Sequence, residues 1–279
     1  MNSEINYKDA FGDRLEKCYS GAVYDTLRAM GFPDQLLPQT IRPLDPERVL
    51  AGKIFTVSGH VDTTLDAHTT LLEWTKLLSR APGGSVVVCQ PNDSTLAHMG
   101  ELSSETFTYR GVRGYIVDGG CRDSSFILKI GFRVWCRYFT PRDVVGRWVA
   151  DGFGEPIEMG GVQIRTGDYV MADRDGAVII PQEIIADVTD RVRTGYEALL
   201  AQVDRRLELL SDDGVAADDA GPPAEGETRS FEAEVELRHL VIELERDELD
   251  RMVARRKVSQ PVADDVRAAL DVDETTMRP

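Results

Sequence analysis

What this 279-residue chain lacks narrows it first. No apolar run approaches the ~18 residues a membrane-spanning helix needs. Residues 1–15 are polar and charged, without the apolar centre of a secretory leader, so a cytoplasmic protein is expected. The four cysteines (Cys18, Cys89, Cys121, Cys136) form no C-x-x-C pair. That argues against a disulfide scaffold or a zinc knuckle and fits a reducing compartment. Basic residues are scarce beside acidic ones, 32 against 48, for a formal net charge of −16. A nucleic-acid interface built on a basic face is therefore not expected. Residues 206–279 hold 20 acidic and 10 basic side chains, so most of the imbalance lies there. There is no internal repeat, and Gly119-Gly120 falls far short of a phosphate-binding loop.

What is present is an ordinary globular composition, 42% hydrophobic and 29% charged, long enough for one large domain or two small ones. Residues 1–210 read as one α/β domain. Residues 13–30 carry Leu15, Cys18, Ala22, Val23 and Leu27 at helical spacing and stop at Gly31. Residues 54–57 and 86–89 read as short buried strands. Between them, 69–79 predicts an amphipathic helix ended by Ala81-Pro82-Gly83-Gly84. Residues 100–110 predict a helix that leads into a strand at 114–117. Beyond 132–139, short strands at 162–164, 169–172 and 177–180 are separated by the turn signals Gly167-Asp168 and Asp175-Gly176. A long helix over 184–209 closes the domain. Residues 211–228, acidic and rich in Gly, Pro and Ala, predict a flexible linker. Residues 229–279 predict a helical appendage: Val235, Ile242 and Leu249 fall seven apart, and Pro261 suits the first turn of a second helix.

The most informative stretch is Asp118-Gly119-Gly120-Cys121-Arg122-Asp123, which follows the apolar run Gly114-Tyr115-Ile116-Val117. A guanidinium and two carboxylates arrive where a buried strand ends in a glycine turn, the edge at which α/β folds bind ligands. Arg122 offers a planar fork for a carboxylate. Asp123 offers hard oxygen ligands for a cation such as magnesium. Gly100 opens a helix, whose free N–H groups favour an anion. Together these residue types suit a metal-dependent enzyme for 2-oxo acids.

The chain resembles the RraA-like family, which includes 4-hydroxy-4-methyl-2-oxoglutarate aldolases and regulators of ribonuclease activity. The resemblance runs over about residues 10–190. It rests on Ala97-His98-Met99-Gly100-Glu101-Leu102, Arg113-Gly114-Tyr115-Ile116-Val117-Asp118-Gly119, Arg122-Asp123, Thr140-Pro141-Arg142-Asp143, Gly160-Gly161-Val162, Thr166-Gly167-Asp168 and Asp173-Arg174-Asp175-Gly176-Ala177 with the strand and Pro181 that follow. It implies a layered β/β/α swivelling-type domain and a trimeric ring or dimer of trimers with sites between subunits. It also implies a class II aldolase site with magnesium or manganese as cofactor. There Asp123 holds the metal, partly through water, and Arg122 holds the 2-oxo acid. The backbone N–H groups of Gly100, Glu101, Leu102 and Ser103 cradle the substrate. The implied reaction releases pyruvate from a 4-hydroxy-2-oxo dicarboxylate such as 4-hydroxy-4-methyl-2-oxoglutarate, with oxaloacetate decarboxylation through the same enolate as a side activity. A metal-bound water or Glu101 is the candidate base.

Two positions depart from the family's pattern. Its aldolases usually carry Asp where this chain has Glu101. Its ribonuclease regulators carry an acidic residue where this chain has Phe126. The carboxylate at 101 favours an enzyme; the alternative is a non-enzymatic protein that binds and regulates a ribonuclease. Other residues read more plainly. Asp118 shapes the turn or holds Arg122. Cys121 is a small filler, His98 a neutral surface histidine, and Asp173, Asp175 and Gly176 a hairpin turn. Lys53, Lys76 and Lys129 have no surroundings that suggest a Schiff base. The C-terminal helices resemble the cytosolic tail of bacterial sodium/proton antiporters through Glu245-Arg246-Asp247-Glu248-Leu249-Asp250 and Arg255-Arg256-Lys257-Val258-Ser259. That implies a helical segment for self-association or a protein partner.

Overall fold

The computed structural model describes residues 8–196. The linker and appendage expected over 211–279, and the antiporter-like tail with them, lie outside the described residues. The strands are β1 (Arg42–Pro43), β2 (Leu50–Val61), β3 (Val86–Gln90), β4 (Gly114–Val117), β5 (Gly120–Cys121), β6 (Val134–Cys136), β7 (Tyr138–Phe139), β8 (Trp148–Phe153), β9 (Ile157–Met159), β10 (Val162–Ile164), β11 (Tyr169–Ala172) and β12 (Ala177–Ile180). The helices are α1 (Ala10–Leu15), α2 (Ser20–Ala29), α3 (Ala67–Arg80), α4 (Glu101–Tyr109) and α5 (Ser124–Ile130), and residues 185–196 are also helical.

The fold is mixed α/β, and its main sheet runs β1-β6-β4-β3-β2-β11-β12, with β8 joined to the far end of β2. The centre, β2-β3-β4-β6, is parallel, and the outer pairings are antiparallel. Both faces of this centre are covered, so its strands read as unbroken apolar runs. Side chains alternate across it. Val87, Cys89, Tyr115 and Val117 pack with Trp74, Leu77, Met99, Phe107 and Ile127 from α3, α4, α5 and the loop before α4. Val86, Val88 and Ile116 face the other way, onto Ile157, Met159, Val162 and Ile164 of the β9–β10 hairpin. A third cluster seats α1, α2 and the helix over 185–196 on β11 and β12. This is the sheet-on-sheet-on-helix layering that the family resemblance implies.

Two boundaries moved. The expected strand at 54–57 is the middle of the twelve-residue β2. Gly52-Lys53 and Ser58-Gly59-His60 interrupt its apolar run, and those ends pair with β11 and β8. The helix expected over 13–30 is two helices, broken at residues 16–19. The second restarts at Ser20 because Asp173, across the chain, accepts from the Ser20 N–H (2.7 Å) and hydroxyl (2.8 Å). Sequence spacing cannot show a cap supplied from a distant turn. Asp173 also accepts from Asp175 N–H, so it shapes the β11–β12 hairpin turn as expected. Asp173→Ala should destabilise the domain by about 2 kcal/mol, since it removes a cap and strands buried donors. A urea-unfolding midpoint within error of the parent would contradict that role.

Candidate active site

The N-terminus of α4 and the Arg122-Asp123 turn form one cleft of about 540 Å³. Their approach begins in the backbone. His98 N–H donates to Gly120 carbonyl (2.8 Å) and Arg122 N–H to Met99 carbonyl (2.9 Å), which zips the segment before α4 to β5. Gly100, the N-cap of α4, has no side chain to cap the helix. Asp123 supplies the cap instead: Glu101 N–H donates to its Oδ2 at 3.2 Å. Ser104 N–H closes the first turn on Gly100 carbonyl (3.0 Å). Among the described residues, the N–H groups of Leu102 and Ser103 meet no protein acceptor, as orphan donors of a helix start do. Of the four expected cradle donors, Glu101 N–H is thus already engaged by Asp123.

A side chain at 100 would not fit. An added Cβ would lie 2.8 Å from Asp123 Oδ2 and 3.2 Å from Arg122 Nε. Asp123 itself has φ +55°, a left-handed conformation that aspartate tolerates better than most residues. It begins α5 without bonding that helix through its side chain, so its carboxylate is turned to α4.

Arg122 stands between two carboxylates. Its Nε lies 3.3 Å from Asp123 Oδ2, and its Nη1 donates to Asp143 Oδ2 at 3.3 Å. Asp143 is steadied by Val145 N–H (3.2 Å) and faces Arg147 at 3.6 Å. The expectation that Asp118 holds Arg122 is corrected: Asp118 pairs with Arg137 at 3.1 Å. Parallel pairing of β5 with β7 brings Arg137 alongside, and its N–H donates to Gly119 carbonyl.

Sequence reasoning quoted Asp143 but gave it no role. The loop over 140–147 that carries it braces both halves of the cleft. Thr140 N–H donates to Cys121 carbonyl, Ala97 N–H to Arg142 carbonyl (2.7 Å), and Gly146 N–H to Thr70 Oγ1 (2.8 Å). Its place after Arg122-Asp123 in the motif order was the one available signal. Trp74 also entered the cleft unannounced; its indole N–H donates to Ser103 Oγ at 2.9 Å.

The remaining candidates fall elsewhere. His98 is not on the surface as expected: it is fully buried, its ring packs on Trp148, and neither ring nitrogen is hydrogen-bonded. Cys121 is a buried filler, as read from the sequence. Its thiol pKa is pushed up by the Cys136 thiol beside it and by burial, so it stays protonated. Lys76 pairs with Glu73, and Lys129 lies over the Phe126 ring. Lys53 lines a different cavity, with Lys8 and Tyr169.

The cleft's donor set suits a hard divalent cation. Glu101, Asp123 and Asp143 line it. Among the described residues no three acidic, histidine or cysteine side chains close on a common point. One or two carboxylates with the rest water is the ligand set magnesium accepts, unlike the closed all-protein set of structural zinc.

The family model described as RraA-like: Aldolase/RraA matches residues 20–179, more than half of the chain. A protein of Halalkalibacterium halodurans, provisionally named a 4-hydroxy-4-methyl-2-oxoglutarate aldolase, is 30% identical over 149 residues. That match covers 52% of this chain and 66% of that protein. Protein DlpA of Legionella pneumophila is 25% identical over 64% of this chain, which spans only 28% of DlpA. The crystal structure of Streptomyces coelicolor RraAS2, described as an unusual member of the RNase ES inhibitor RraA family, superposes with a TM-score of 0.61. It is 22% identical, over 73% of this chain and all of that one, which shows a shared fold. Among the described residues, no helix is long and apolar enough to cross a membrane.

Proposed function

The chain belongs to the RraA-like family of Aldolase/RraA proteins, and on that premise we propose that it is a divalent-metal-dependent aldolase releasing pyruvate from a 4-hydroxy-2-oxo acid. The observation that carries this is the shared cleft: one guanidinium, unpaired helix N–H groups and three carboxylates within reach of one small anionic substrate. Arg122 binds the substrate carboxylate with the N–H groups it does not give to Asp123 and Asp143. The Leu102 and Ser103 N–H groups, backed by the positive end of α4, face the oxygen on which charge develops. Glu101 takes the proton from the C4 hydroxyl. The C3–C4 bond then breaks, its electrons pass to the pyruvate enolate, and a proton returned to C3 gives pyruvate. Asp123, with Glu101 or Asp143 and water, would hold magnesium or manganese. Bound there, the metal supplies Lewis-acid stabilisation of the enolate charge. Loss of carbon dioxide from oxaloacetate yields the same enolate and is proposed as a side activity.

Oligomerisation as a trimer or hexamer belongs to this proposal. Leu102, Phe126 and Phe139 are exposed around the cleft and its turn, and burial would stabilise them. The decisive experiment is pyruvate release from 4-hydroxy-2-oxo acids and oxaloacetate, with magnesium and with chelator. Turnover that needs the metal is expected. Absence of metal-dependent turnover on every 2-oxo acid tested would sink the enzyme reading and leave ribonuclease binding as the next assay.

A further inference from the structure

Helix α4 carries four serine and threonine hydroxyls, and one behaves unlike the others. Ser104, Thr106 and Thr108 donate back to the carbonyl four residues earlier, on Gly100, Leu102 and Ser104, at 2.8–2.9 Å. That is a common resting place for a Ser or Thr hydroxyl in a helix. Ser103 does not follow them. The carbonyl four residues before it, on Met99, lies outside the helix and accepts from Arg122 N–H (2.9 Å). Ser103 Oγ instead accepts from the Trp74 indole N–H of α3 at 2.9 Å. The direction of that bond is fixed, because an indole N–H can only donate, whereas a hydroxyl both accepts and donates. The Ser103 oxygen is therefore engaged by Trp74, and its own hydrogen meets no acceptor among the described residues. Both residues line the cleft, and the Ser103 backbone N–H is unpaired there too. A nearly buried hydroxyl with its acceptor side occupied is a donor held ready for an anion at the start of α4.

Resting on the aldolase reading, we infer that the Ser103 side chain is a further catalytic residue. Its hydroxyl donates to a substrate oxygen, either the carboxylate or the keto oxygen that becomes the enolate. Trp74 is its positioning residue. Both ends of the pair belong to one chain, so the donor acts alongside whatever a neighbouring subunit adds to the site.

The test uses the full chain with magnesium and the 2-oxo acid it cleaves best. Ser103→Ala should lower kcat/KM roughly 10- to 100-fold, as loss of one hydrogen bond to a charged oxygen does. It also strands the buried indole N–H, so the double variant Ser103→Ala/Trp74→Phe, which has no stranded donor, is measured beside it. The double variant should stay as slow as Ser103→Ala. Trp74→Phe alone should cost less, about three- to tenfold, because the hydroxyl remains but is no longer aimed. If the pair only fastens α3 to α4, the double variant recovers activity. That recovery, or Ser103→Ala turnover within error of the parent, overturns the inference and leaves the aldolase reading intact. If the parent cleaves no 2-oxo acid, the aldolase reading fails by itself. Calorimetry with magnesium and oxalate, a stable mimic of the pyruvate enolate, then decides. Weaker binding to the double variant than to the parent supports the Ser103 donor; equal binding, or none to the parent, overturns it.

Discussion

Arg122→Ala should lower kcat/KM for pyruvate release by about 10²–10³-fold while leaving the folded protein nearly as stable as before. The two halves of this expectation have different origins. The stability half follows from exposure: the Arg122, Asp123 and Asp143 side chains are each 36% exposed, and ion pairs in such settings contribute little. The activity half follows from arithmetic of charge. Removing the one lining cation leaves only the proposed metal and the α4 N–H groups to offset Glu101, Asp123 and Asp143 against an anionic substrate. KM should rise because the substrate carboxylate loses its fork. kcat should fall because the enolate loses fixed positive potential. Arg122→Lys should recover little: an ammonium cannot bond Asp123, Asp143 and a substrate carboxylate in one plane. Magnesium should bind the alanine variant at least as tightly as the parent, since a repelling cation beside Asp123 has gone. Calorimetry with magnesium therefore separates lost chemistry from a collapsed site. An alanine variant within threefold of the parent in kcat/KM would remove Arg122 from the mechanism.

Most strands buried on both faces were legible, because a continuous apolar run needs no partner to identify it; β6, inside the unassigned stretch 132–139, was not. The runs at 86–89, 114–117, 169–172 and 177–180 match β3, β4, β11 and β12, while 162–164, which matches β10, alternates about the exposed Gln163. β8 was not seen: Trp148-Val149-Ala150 runs into Asp151-Gly152, and only pairing with the end of β2 makes it a strand. Helix α5 was not seen either, because its start depends on Asp123 holding a left-handed backbone that sequence pattern does not reveal. Within the cleft, Gly100, Glu101, Arg122 and Asp123 were found by spacing and motif. What spacing could not show is that the Asp123 carboxylate caps α4, so that the proposed metal ligand and the proposed anion-binding helix are one connected unit. Asp143 was out of reach for the same reason. Its contact with Arg122 spans 21 residues and is made by a loop whose course is set by backbone bonds to Ala97 and Cys121.

Lowering the pH from 7 to 4 should cost the domain roughly 3 kcal/mol through His98 alone. Burial pushes this imidazole down from 6.5 to about 4, against the pull of Asp93, whose Oδ2 lies 3.5 Å from Nε2. The folded state therefore keeps His98 neutral over a range where the unfolded chain protonates it. Stability from this group is complete above pH 6.5 and is lost as the pH falls toward 4. Below 4 the folded form protonates too, and the loss levels off. The consequence reaches the cleft, because His98 stands two residues before Gly100 and its N–H holds Gly120, beside Cys121-Arg122. A charged ring wedged among Trp148, Asp93 and Gly119 pushes on the contact that brings the two halves together. Urea midpoints measured from pH 7 to pH 4 for the parent and for His98→Asn isolate the effect, since ordinary carboxylates titrate alike in both. The parent should lose stability more steeply between pH 6.5 and 4, whatever the variant's stability at pH 7. Parallel curves for the two proteins would mean that His98 does not carry the acid sensitivity.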